Sequence, residues 1–164
     1  RARPRGDRGR DARRARGGIL IPGRPARGFP NHVDLAVSDL ERSVAFCDTL
    51  LTHPGFVRST EYAGEVPNWT RAEGEATFSL GLHAARREVP HDRHAPGLHR
   101  PAFHAGSRGE VDAVHELVRS AGATVLDPPA TYDCKPGNRA VFFADPDGLG
   151  REVVFEPGLA HNPA

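Results

Sequence analysis

Apolar and polar positions change rhythm twice along this chain, in the same order each time. His32 to Val37 alternates, with His32, Asp34 and Ala36 sharing one side, which is the period of a strand. Leu40, Val44, Cys47 and Leu51 then recur at helical spacing. The stretch HRPAFHAGSRGEVDAVHELVRSAGA repeats the sequence of events, with Val111, Val114, Val118 and Ala121 forming the second helical stripe. Ser38 with Glu41, and Ser107 with Glu110, predict capping boxes at the two helix starts. His53-Pro54-Gly55 and Gly122 predict where the helices stop. Strands are expected at 56–62, 67–72 and 76–83 in the first half, and at 124–126, 139–144 and 151–155 in the second. Each half therefore reads β-α-β-β-β, and residues 84–98, rich in charge, His and Pro, read as a linker.

The predicted class is α+β, with modules at about 31–84 and 98–157 inside a domain spanning 29–160. One such module has a single apolar sheet face and one helix, too little to bury a sizeable core. Two side by side can form a curved, cup-like sheet with helices on the outer face. The concave face is then open to a ligand.

Charge changes the picture only at the N-terminus. Net charge is +1, yet Arg1, Arg3, Arg5, Arg8, Arg10, Arg13, Arg14, Arg16, Arg24 and Arg27 face only Asp7 and Asp11 in the first segment. Residues 1–28 are expected to be a disordered basic tail. Such an arm can meet phosphates, but no aromatic residue precedes Phe29 to stack on bases, so nucleic acid is the less favoured partner. No apolar run approaches the roughly 20 residues of a membrane span, and no signal-peptide pattern is visible. Cys47 and Cys134 make neither a metal pair nor a disulfide framework, so a cytoplasmic setting is expected. There is no P-loop, dinucleotide fingerprint or nucleophile elbow.

The stretches HVDLAVSDLERSVAF, GEVDAVHELVRSAGA and PGNRAVFFADPDGLGREVVF resemble the vicinal oxygen chelate superfamily, which includes glyoxalases, bleomycin-resistance proteins and extradiol dioxygenases. The most specific element is the Asp-Pro-Asp-Gly turn followed by a strand bearing Glu152. The resemblance implies paired βαβββ modules around a cup and a divalent metal, Fe(II), Mn, Ni or Zn, that chelates neighbouring oxygens of a substrate as a Lewis acid. It places His32 and Glu152 at ligand positions, with Glu152 as ligand or base. A homodimer is expected on the same ground.

The remaining ligand is where the chain departs from the family. Arg100 stands at the second module's His position, and a guanidinium cannot hold a cation. His99 faces the other way along the strand. His104 keeps the face if Pro101 does not break it, so the expected set is His32, His104 and Glu152. In the first module the matching carboxylate position falls near Ser79, with His83 on its face. Trp69 and Tyr62 are candidates to stack on a ligand, and Arg100 and Arg139 to bind its anionic groups; core and solvated roles are the plain alternatives. His91, His94 and His99 have no recognisable metal-site spacing. The expected function is a metal-dependent lyase, isomerase or ring-cleaving dioxygenase acting on a small molecule. The alternative is a metal-free protein that binds and sequesters a small molecule or drug.

Overall fold

A computed structural model describes residues 28–59, 66–74, 76–87 and 89–158. The basic tail through residue 27, Tyr62 and the end of the domain beyond 158 lie outside the described residues. The chain runs β1 (His32–Val37), α1 (Leu40–Thr52), β2 (Val57–Arg58), β3 (Asn68–Glu73), β4 (Ala76–Ala84), β5 (Ala102–His104), α2 (Arg108–Ser120), β6 (Thr124–Ala130), β7 (Arg139–Ala144) and β8 (Gly150–Phe155). It is an α+β protein of two βαβββ modules. Each module hydrogen-bonds its own four-stranded sheet, in the orders β1-β4-β3-β2 and β5-β8-β7-β6.

Alternation sets the faces. Leu35 and Val37 of β1 and Phe103 of β5 point inward, as do Leu80 and Leu82 of β4, Val141 and Phe143 of β7 and Val153 of β8. They join α1 and α2 in one core, where Phe46 of α1 meets Phe143 of β7 with ring centroids 6.5 Å apart. Trp69 is fully buried here, and its indole N–H donates to Asp48 Oδ1 at 2.9 Å. The expected ligand-stacking Trp69 is therefore a core residue.

Three local expectations need correction. Asp39, not Ser38, caps α1, accepting from the Arg42 amide at 3.0 Å. Ser107 caps α2 as expected, but Glu110 reaches back to the Gly106 amide at 2.5 Å rather than to the cap itself. The second strand of the second module runs on to Ala130 through Pro128-Pro129. Prolines are tolerated there because β6 is an edge strand with shifted register.

Ser38 has other work. The Asp147 carboxylate, in the turn between β7 and β8, accepts from the Ser38 amide at 3.2 Å, from the Ser38 hydroxyl and from Arg42 Nη2 at 3.2 Å. The Asp-Pro-Asp-Gly turn of the second module thus bolts onto the start of α1. Asp147→Ala is expected to lower stability by about 1–2 kcal/mol, because the bonds are charge-assisted but Arg42 is half exposed. Urea unfolding midpoints check this; an unchanged midpoint would show that the bolt is only a surface contact.

Candidate functional site

On the face of the second sheet opposite the core, Ala102 and His104 of β5, Glu152 and Val154 of β8, and Ala140 and Phe142 of β7 all line a hollow of about 610 Å³. Register places Ala102 directly opposite Glu152. The backbone holds this corner even though Pro101 cannot donate, because the Pro101 carbonyl accepts from the Glu152 amide at 3.1 Å. His104 consequently keeps the hollow's face, as expected.

Arg100 dominates the hollow. Its Nε donates to Glu152 Oε2 at 2.7 Å, and the Glu152 side chain is only 15% exposed. Its Nη1 lies 3.1 Å from His99 Nδ1, which must be the acceptor because arginine only donates. Its guanidinium carbon sits 4.9 Å from the centroid of the Phe142 ring. Tyr132 meets the same ring edge-on at 5.3 Å. Burial, with the charges of Asp127 and Glu152, raises the Tyr132 pKa, so its hydroxyl stays protonated and able to donate. Gly150 lets the chain come this close, since a Cβ there would lie 3.3 Å from the His99 carbonyl oxygen.

The loop that carries Tyr132 is fixed by Asn138, which is almost fully buried. Its side chain accepts from the Tyr132 amide at 2.8 Å and donates to Cys134 Sγ at 3.1 Å. Cys134 is exposed and lines the hollow. Cys47 lies instead in the core, where burial pushes its thiol up to about 11, against a smaller lowering by Arg151.

His32 is not on the walls of this hollow. It stands on the first sheet, with Nδ1 2.8 Å from Asn31 Oδ1. Its Nε2 lies 3.8 Å from Asp34 Oδ2, and His83 Nε2 lies 3.7 Å from the same oxygen. Both helix caps and both inward residues, Leu35 and Phe103, match between modules. Asp34 then corresponds to Ala102 and Gly81 to Glu152, since Asp34 pairs Gly81 and Ala102 pairs Glu152. The first module's carboxylate position is therefore Gly81, not Ser79. A Cβ at Gly81 would collide with Asp34 Oδ1, so the Asp34 carboxylate fills that place from the neighbouring strand.

Arg139 also lies elsewhere than expected. It sits on the helix side of β7 and donates from Nε to Asp112 Oδ1 of α2 at 2.8 Å. Sequence reasoning missed Phe142, Tyr132 and Asn138. The alternation of β7 could have put Phe142 beside Glu152, but nothing local announces that Asn138 holds the Tyr132 loop.

The divalent metal that the resemblance implies needs several convergent donor side chains. Among the described residues no group of three His, Cys, Asp or Glu side chains gathers to hold an ion. At the second module's ligand position the Glu152 carboxylate is engaged by a guanidinium that also repels cations. This donor set does not fit a resident divalent ion.

The family model for the Glyoxalase/Bleomycin resistance protein/Dioxygenase superfamily matches residues 30–153. The uncharacterized protein YqjT of Bacillus subtilis is 32% identical over 131 residues, covering 76% of this chain and 96% of that protein. A glyoxalase-like protein from Bacillus halodurans superposes with a TM-score of 0.62 at 28% identity, over 79% of this chain and 96% of the other. A glyoxalase/dioxygenase from Nostoc punctiforme gives 0.63 at 23% identity, over 85% and 97%, which speaks for the fold alone. The chain belongs to the glyoxalase, bleomycin-resistance and dioxygenase superfamily. Among the described residues no helix is long and apolar enough to cross a membrane.

Proposed function

We propose that the protein binds a small organic molecule in the hollow of the second module without a resident metal ion, as a binding or sequestering protein rather than a metal-dependent enzyme. The Arg100–Glu152 pair carries this reading. A carboxylate that already holds a guanidinium at 2.7 Å is neutralised and one of its oxygens is occupied. What is left is an apolar floor of Ala102, Ala140, Phe142 and Val154 with a few polar groups, and a volume in the range of small-molecule sites. A homodimer and a cytoplasmic setting are proposed with it, supported by the open side of the hollow and by two free thiols.

Protein purified without a His tag and then offered Fe(II), Mn, Ni and Zn is expected to hold far less than one equivalent of metal by elemental analysis. It is also expected to bind 2-naphthamide, and Val154→Trp, which fills the hollow, to abolish that binding. One equivalent of metal, lost in Glu152→Ala, would overturn the reading and favour the metal-dependent enzyme.

A further inference from the structure

We infer that the ligand of this hollow is a flat molecule carrying a carboxylate or similar planar anion, and that Arg100 is the residue that selects it. The inference rests on the metal-free reading above and adds the chemical class of the ligand.

Arg100 is held on three sides, by Glu152 at Nε, by His99 at Nη1 and by the Phe142 ring beneath it. Among the described residues its Nη2 has no hydrogen-bond partner, and the side chain is 37% exposed. A guanidinium fixed in this way loses little conformational freedom when it takes up an anion. Its open N–H groups lie in one plane, the geometry that a carboxylate matches with two oxygens. The guanidinium carbon also lies over the Phe142 ring, 4.9 Å from its centroid, so a flat ligand can pack on the guanidinium's other face.

The acids around the hollow do not reverse this preference. Glu152 is consumed by Arg100, and Glu156 lies 3.6 Å from Lys135 Nζ. Asp133 is exposed, where water screens it. A smaller cavity of about 170 Å³ shares Arg100, Tyr132 and Phe142 with the hollow and adds Arg93 as a second cation, against Asp127. Tyr132, kept protonated, supplies another donor beside the same ring.

Three probes that differ only in charge test the assignment: 2-naphthoate, 2-naphthamide and 2-naphthylmethylammonium, titrated by naphthalene fluorescence anisotropy. Naphthoate is expected to bind tightest, by about 10-fold over the amide. Arg100→Met is expected to erase that preference, and Arg100→Lys to restore only part of it, because an ammonium neither forks nor stacks. Glu152→Gln is the sign test. It keeps an acceptor for Nε but removes the competing charge, so naphthoate should bind about 3-fold tighter. A site built for cations would instead lose ammonium affinity in that variant. Tightest binding of the ammonium, or weaker naphthoate binding in Glu152→Gln, would overturn the inference. Equal binding of all three probes, lost in Val154→Trp, would overturn it while leaving the metal-free hollow standing. Metal held through Glu152 would overturn both.

Discussion

Asp145→Ala is expected to destabilise the protein by about 3–5 kcal/mol, the largest loss from any single substitution considered. Asp145 is the hub of the turn before β8. Its Oδ1 accepts from the Asp147 and Leu149 amides, both at 3.0 Å, and its Oδ2 from Arg151 Nη2 at 2.7 Å and Nε at 3.3 Å. The two side chains are 4% and 1% exposed. Truncation would strand a buried guanidinium whose Nη1 already lacks a partner among the described residues. Cys47 cannot supply a counter-charge, since burial keeps its thiol protonated at neutral pH. The cost is thus mainly that of an uncompensated charge, and the double variant Asp145→Asn with Arg151→Met should recover most of it. Urea unfolding of the three proteins checks this. A loss under 1 kcal/mol for Asp145→Ala would mean that water or a rearranged Arg151 satisfies the site.

This hub shows what sequence could and could not disclose. The period of apolar positions, read twice, was enough for two βαβββ modules, because period and order are local properties. Arg139–Ala144 is legible to the residue, since its apolar run is unbroken up to the Asp-Pro-Asp-Gly turn. Arg151, by contrast, has no local signal that announces its role. Its meaning depends on Asp145, six positions away, folding back to meet it. Ser38 looked like a helix cap because its true partner, Asp147, lies 109 residues further on. The candidate site followed the same division. Glu152 and the anomaly at Arg100 were legible one at a time. That they are each other's partner needed the parallel pairing of β5 with β8, which no local pattern encodes. Trp69 and Arg139 were misplaced for a related reason, as residue type suggests a role but only the strand face decides which side it serves.

Ala102→His combined with Arg100→His is expected to turn the second module into a metal site, binding Zn or Ni at least 100-fold more tightly than the parent, about 2.7 kcal/mol. The two imidazoles would sit at alternate positions on one face of the strand leading through β5. Glu152 lies directly across from position 102. Two imidazoles and a freed carboxylate on adjoining strands match the donors that divalent transition metals prefer. The informative control is Ala102→His alone. It adds an imidazole opposite Glu152 but leaves Arg100 with its Nε on the carboxylate. If the guanidinium is what withholds Glu152 from cations, that variant should stay close to the parent, and the full gain should need both changes. Calorimetric titration with Zn and Ni separates the cases. Tight binding by Ala102→His alone would show that Arg100 yields Glu152 readily, and the observation carrying the metal-free reading would fail. Weak binding by all variants, with Arg100 gone, would place the obstacle in the spacing of β5 and β8 rather than in the charge between them.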